Sequence, residues 1–375
     1  MPMKRTAAAM LAALLLPVMP AVHAQVVESE VVIDAAHHPL GSPLRAVLLL
    51  PDAASAAAPV PGCLVVHGSG GLFRENAPGE ACGPQLETNF REVAELLAGQ
   101  GVAALLPSSF ASRDPRFCED NDDAFLEFAP APFFNAGDTR ARDSAYSTRR
   151  VVIRTLDLLA ASDYLCSRDD IDCSRTCVVG TSNGATAILA HVANELPRHM
   201  DEYTDLATRR EHESNSAFAN RQAALANMPA LPDDLADWLD ARPLPRFAHA
   251  ISPGCSLRAL VPTVAPDDAG FDPLLHLGDL YYPAGNVELQ FEIGLLDDVP
   301  DACHDGGIRE LQARAYEALT DADPSRYLVR THAGAGHNLL GEREAELHAA
   351  LTGLVRRHFF PAIFGDSFEP TQPEP

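Results

Sequence analysis

The chain has 375 residues and a formal net charge of −24 at pH 7. That length exceeds a typical single domain, yet open α/β sheets with insertions often stay one unit, so it does not by itself demand two domains. The acids are dispersed rather than blocked, and so negative a surface repels nucleic acid and anionic lipid at long range, which argues against either as a partner.

Residues 1–24 read as a secretory signal, to be absent from the mature chain. Lys4 and Arg5 form a basic start, Ala7 to Val18 an apolar core, and Val22-His23-Ala24 offers small residues around a cut. The apolar stretch is interrupted by Pro17 and Pro20 and falls short of the ~20 residues that span a bilayer, so no stable membrane anchor is expected. The mature protein would begin near Gln25 and be periplasmic or extracellular. Eight cysteines in an exported chain suit disulfides. Cys166 and Cys173 bracket an acidic turn and are placed to close a short loop. Cys82 and Cys118 lie in turn-rich loops, and Cys255 and Cys303 each follow an apolar run. Cys63 and Cys177 sit inside such runs and read as buried thiols. With no C-x-x-C pair, zinc is not expected.

Beyond the signal, short apolar runs alternate with longer helix-like segments, the pattern of a mostly parallel sheet covered on both faces. Strands are predicted at Val26 to Ile33, Arg45 to Leu50, Cys63 to Val66, Val102 to Leu106, Cys177 to Val179, Ala248 to Ile251, Glu288 to Ile293 and Tyr327 to Arg330. The first two are expected to pair as a hairpin through His37 to Pro43. Helical spacing predicts Asn89 to Ala98, Thr148 to Tyr164, Ala185 to Leu196, Gly307 to Leu319 and Glu342 to Phe359. Residues 197–243 break this rhythm, being long, polar and helix-prone, and they hold the only tryptophan, Trp238. An insertion there would lie above the carboxyl ends of the strands, as a helical lid or as a surface excursion. Residues 25–365 would form one domain with this insertion, and 366–375 a disordered tail.

The chemistry centres on Gly180-Thr181-Ser182-Asn183-Gly184, a G-x-S-x-G pattern between a buried strand and a helix. A serine hydroxyl is a weak nucleophile and must project from a sharp strand-to-helix turn, where glycines on either side let the backbone pass without collision. A second glycine-rich loop, His67-Gly68-Ser69-Gly70-Gly71, ends another apolar run. Acyl transfer builds negative charge on a carbonyl oxygen, and two converging backbone N–H groups stabilise it; Ser69 and Asn183 are the candidates for this oxyanion hole. A simple tight turn and a phosphate cradle are the other readings of this loop, the cradle the weaker since neither a P-loop Lys-Ser/Thr nor G-x-G-x-x-G is present.

In this topology the acid and then the histidine must follow the serine. The strand from Glu288 ends in Gly294-Leu295-Leu296-Asp297-Asp298, and the strand from Tyr327 ends in Ala333-Gly334-Ala335-Gly336-His337. Imidazole is the natural proton carrier near neutral pH, and a carboxylate fixes its tautomer. His337 is therefore the expected base and Asp297 its partner, with Asp298 the alternative acid. His332 is expected to play a supporting role, and His304 is a further candidate near the mouth of the site.

These motifs together resemble the dienelactone hydrolase family of α/β-hydrolases. The resemblance rests on the H-G-x-G-G loop at His67, Pro-Ser-Ser-Phe after the strand at Val102, the G-x-S-N-G elbow at Gly180, Ser-Pro-Gly-Cys at Ser252, Gly-x-x-Asp-Asp followed by Pro300 and Cys303, and Gly-Ala-Gly-His at Gly334. They occur in order across residues 63–337. The resemblance implies an α/β-hydrolase fold and hydrolysis of a small-molecule ester or lactone through an acyl-enzyme, with no metal or organic cofactor. Ser182 stands where that family often has cysteine, which suits general esterases. Peptide or amide cleavage on the same residues, and a non-catalytic binding scaffold, are the alternatives; nothing in the chain specifies an oligomeric state.

Overall fold

The structure, a computed structural model, describes residues 26–34, 43–75, 82–109, 139–193, 237, 241–253, 285–297 and 326–361. Ten strands occur among them: β1 (Val26–Ile33), β2 (Leu44–Pro51), β3 (Val60–Val66), β4 (Phe73–Glu75), β5 (Cys82–Leu86), β6 (Ala103–Pro107), β7 (Ile171–Thr181), β8 (Phe247–Ile251), β9 (Glu288–Gly294) and β10 (Tyr327–His332). Eight form one sheet in the order β1-β2-β6-β3-β7-β8-β9-β10, while β4 and β5 make a separate antiparallel pair. The pairings β1 with β2 and β2 with β6 are antiparallel, and every later pairing is parallel. A parallel run crossed by one reversed strand, in this order, is the α/β-hydrolase fold.

Every predicted strand of the main sheet is present, and β1 pairs with β2 as expected. The largest difference is β7, which starts at Ile171 rather than Cys177. Its first part is polar at Asp172, Ser174 and Arg175, and the register with β3 shifts between Pro61 and Gly62. Such a bulge interrupts the alternation on which a hydropathy reading depends.

The helices are α1 (Thr88–Gly99), α2 (Thr139–Cys166), α3 (Asn183–Ala193), α4 (Leu339–Glu342) and α5 (Glu344–Phe359). The helix predicted at Glu342 to Phe359 is α5, and the short α4 before it was not predicted. Asn338 caps α4, its side chain accepting from the Gly341 N–H, and Arg343 breaks the run with a non-helical φ of −132°. The signal at 1–24, nearly all of the 197–243 insertion, the helix predicted at Gly307 to Leu319 and the tail at 366–375 lie outside the described residues.

Alternation along the strands divides the core in two. Val47, Leu49, Cys63, Val65, Cys177 and Val179 pack against α1 and α5 through Val93, Leu97, Leu351 and Leu354. Their immediate neighbours Leu48, Leu64, Val66 and Val178 face the other way, onto Leu156 and Leu159 of α2 and Ile188 and Leu189 of α3. Each such side chain contributes about 1.5–3 kcal/mol on burial. Both faces being covered, the positions open to a ligand lie at the carboxyl ends of the strands.

The cysteines bring one correction and one agreement. Cys63 and Cys177, read as buried thiols, are joined in a disulfide with Cα atoms 4.5 Å apart. They are direct register partners on the adjacent strands β3 and β7, a neighbour relation that hydropathy does not reveal. Cys166 and Cys173 are also joined, with Cα atoms 5.1 Å apart, closing the short loop between α2 and β7. Cys118, Cys255 and Cys303 lie outside the described residues.

Candidate active site

Ser182 occupies the turn between β7 and α3 with a φ of 53°, a left-handed conformation that costs a non-glycine residue about 1–3 kcal/mol. The surroundings hold it there. Its N–H donates to the Ile251 carbonyl at 2.8 Å, and its carbonyl accepts from the Thr186 N–H at 3.1 Å. The flanking glycines are required by crowding. A Cβ on Gly180 would stand 2.7 Å from the Gly184 oxygen, and one on Gly184 would stand 2.6 Å from the Val66 oxygen. Helix α3 is therefore pressed onto the end of β3, and the hydroxyl is carried clear of the sheet.

The histidine and acid loops are laced together. The Leu295 N–H donates to the His332 carbonyl at 3.1 Å and the Leu296 N–H to the Ala335 carbonyl at 2.8 Å. Gly294 lets the two backbones meet, because a Cβ there would run into the Ala335 and Gly336 carbonyls. From the far side, Glu342 accepts the Gly336 N–H at 2.8 Å and Arg343 donates to the Ala333 carbonyl at 2.9 Å. These anchors lie after the motif in what reads as an ordinary helix, so the sequence reading missed them.

This scaffold brings Ser182, His337 and Asp297 into one hydrogen-bonded chain. The Ser182 Oγ–H donates to His337 Nε2 at 2.7 Å, and His337 Nδ1–H donates to Asp297 Oδ2 at 2.7 Å. Asp297 is buried, while His337 stays partly open. The arrangement can take a proton from the hydroxyl onto the imidazole with the resulting charge balanced by the carboxylate. Asp298 and His304 lie outside the described residues.

The glycine loop closes in from β3. Gly68 abuts Ser182 so closely that a Cβ there would lie 3.2 Å from Ser182 Cβ, and half-buried Ser69 follows it. Asn183 opens α3, where an N–H has no acceptor within the helix. His67 is fully buried. Its Nε2 accepts from the Ser109 N–H at 3.1 Å and its Nδ1–H donates to the Gly68 carbonyl at 2.8 Å. Burial, and then the charge of Arg154, push this imidazole well below its ordinary value, so it is neutral.

A second polar cluster, unforeseen except for His332, lies within the sheet. Glu292 of β9 is fully buried and accepts from His249 of β8 at 3.2 Å, from His332 of β10 at 2.7 Å and from Gln290. Burial alone would raise its pKa; the hydrogen bonds from His249, His332 and Gln290 outweigh it and bring the carboxyl down to about 2. His332 is raised in turn, first by its bond to Glu292, against its own burial and helped by the charges of Glu292 and Glu346. The available signal was Glu288, Gln290 and Glu292 at alternate positions of β9, of which Gln290 and Glu292 are buried. Among the described residues, no group of His, Cys, Asp or Glu side chains is arranged to hold a metal ion.

No family model and no curated protein matches the sequence. Solved structures of similar fold include a dienelactone hydrolase-like promiscuous phosphotriesterase from metagenomic libraries, at 15% identity over 89% of this chain and 98% of that one, with a TM-score of 0.47. An acetyl xylan esterase from Paenibacillus sp. R4 is 17% identical over 90% of this chain and 86% of that one, with a TM-score of 0.47. A puromycin-hydrolysing peptidase of Mycobacterium tuberculosis is 16% identical over 91% of this chain but only 41% of its own, with a TM-score of 0.46. These are likenesses of general architecture, and the functional reading rests on the chain's own residues.

Proposed function

We propose that the chain is an exported serine hydrolase that cleaves carboxylic esters, lactones included, through an acyl-enzyme. The observation that carries the proposal is the Ser182–His337–Asp297 chain, with both hydrogen bonds at 2.7 Å on a strained strand-to-helix elbow. In the first half-reaction Ser182 Oγ attacks the acyl carbon as its proton passes to His337 Nε2. The oxyanion is held by the N–H groups of Ser69 and Asn183. Collapse expels the alcohol oxygen, which takes the proton from His337, and leaves the acyl group on Ser182. Water then repeats the sequence, giving up one proton to His337 and releasing the acid while the serine is restored. Asp297 holds the imidazole in the required tautomer throughout. Export is supported by the signal-like residues 1–24 and by two disulfides, which persist in oxidising compartments. Among the described residues no helix is long and apolar enough to cross a membrane.

A fluorophosphonate probe followed by peptide mass spectrometry is the direct test, because only an activated serine reacts rapidly. Modification at Ser182, abolished with ester turnover in a folded Ser182→Ala variant, is the expected result. Lack of labelling would favour a non-catalytic scaffold, and faster cleavage of peptide amides than of short acyl esters would favour a peptidase.

A further inference from the structure

Arg154 lies in the middle of α2, distant in sequence from every motif of the site, and is fully buried. A buried guanidinium is costly unless its donors are satisfied, so the identity of its acceptors is informative. One terminal nitrogen, Nη1, donates to Asn183 Oδ1 at 2.7 Å. The other, Nη2, donates to the His67 carbonyl and lies 3.5 Å from the His67 ring. Since guanidinium only donates, the Asn183 amide must present its oxygen to it, which fixes that side chain's orientation. Asp157, three residues on along α2 and also buried, brings opposite charge to the same region and acts on His67.

These two acceptors, among the described residues, belong to the two segments proposed to supply the oxyanion donors. The His67 carbonyl begins the backbone leading through Gly68 to the Ser69 N–H. Asn183 carries the other N–H on its own backbone. Two N–H groups stabilise an oxyanion well only if both stand about 2.7–3.1 Å from the position that oxygen will occupy. No hydrogen bond runs directly between Ser69 and Asn183 among those described; sheet pairing and glycine packing bring the two segments together, and the Arg154 fork is the polar link between them. We infer that Arg154 is a positioning residue of the oxyanion hole, its planar fork clamping the glycine-loop half to the elbow half. The rigid spacing of its two nitrogens suits this role in a way that the single point charge of lysine does not. The guanidinium that forms the clamp is itself fully buried.

This inference rests on Ser182 being the nucleophile, and its test separates the two. Wild-type protein is first labelled at Ser182 by the fluorophosphonate probe; failure there removes the hydrolase reading and the clamp with it. Given labelling, Arg154→Lys and Asn183→Ala are compared with wild type on a short acyl ester, with folding checked by thermal unfolding. The expected result is a fall in kcat of about 10²–10³-fold for Arg154→Lys, the size of losing one oxyanion donor. KM should stay within about threefold and the pH midpoint of kcat/KM should not move, because the Ser182–His337 pair is untouched. Affinity for a trifluoromethyl ketone, which forms a tetrahedral oxyanion adduct on the serine, should fall in parallel with kcat. Asn183→Ala keeps its backbone N–H but severs the clamp from the other side, and it should show a smaller loss of the same kind. The two losses should be less than multiplicative in the double variant. Should Arg154→Lys not fold, Asn183→Ala decides alone. Wild-type kcat and ketone affinity in a folded Arg154→Lys, or in folded Asn183→Ala, would overturn the clamp and leave the hydrolase reading standing.

Discussion

At Asp297 the side chain and the hydrogen bond make a quantitative expectation possible. The carboxylate is buried and accepts from His337 Nδ1–H at 2.7 Å. Asp297→Asn keeps the shape but favours the wrong imidazole tautomer, and kcat on an ester should fall by about 10³–10⁴-fold with little change in KM. A larger loss in Asp298→Asn would move the acid role one residue along the loop. The serine and the histidine were legible as residues because each lies in a glycine-rich turn that ends an apolar run. The choice between two neighbouring aspartates was not, since adjacent loop residues point different ways and only coordinates say which meets the imidazole. Arg154 was illegible for another reason. It sits between Ile153 and Thr155 in a stretch of α2 buried on every side through Asp157, where no amphipathic stripe sets a functional cation apart from a surface one.

Among the elements, β9 and β10 lead into Asp297 and His337, and both are pinned to β8 by Glu292. Removing one partner of a buried ionic cluster costs about 3–5 kcal/mol, so Glu292→Leu should lower unfolding stability by that amount in denaturant titrations. The pH dependence has two limbs. The Glu292 carboxyl is lowered from 4.5 to about 2, so its contribution is present above 4.5 and is lost as pH falls through about 2. The His332 imidazole is raised above 6.5, so its contribution is complete below 6.5 and is lost as pH rises through the raised value. The stability gap between wild type and Glu292→Leu should therefore be widest between about pH 4.5 and 6.5 and narrow on either side; a gap independent of pH would refute the cluster's ionic character. The strands themselves were read correctly from apolar runs and β-branched residues. The early part of β7 escaped because Asp172, Ser174 and Arg175 lie outside the hydrophobic core, and the β4–β5 pair because it is too short to show a period.

For the molecule as a whole, the two disulfides differ in what they constrain. Cys63–Cys177 closes a loop with a sequence separation of 114, and Cys166–Cys173 one of 7. By chain entropy the first should contribute about 4–5 kcal/mol and the second about 2–3 kcal/mol. Thermal unfolding of the Cys63→Ala/Cys177→Ala and Cys166→Ala/Cys173→Ala pairs should rank them in that order, and the reverse ranking would show that local loop geometry dominates. The overall architecture was legible in the order of its motifs. The cross-strand bond was not, because which strands lie side by side is a property of the sheet and not of any one segment.

That bond also bears on the chain's biogenesis. It fastens the strand leading to the glycine loop to the strand leading to Ser182, at positions that touch only in the finished sheet. In a reducing cytosol the newly made polypeptide would lack this fastening, and the folded form would be correspondingly less favoured. Under the proposed export, such reluctance to fold would suit a precursor bound for a translocation channel, and oxidation on the far side would lock the sheet at the strands that frame Ser182.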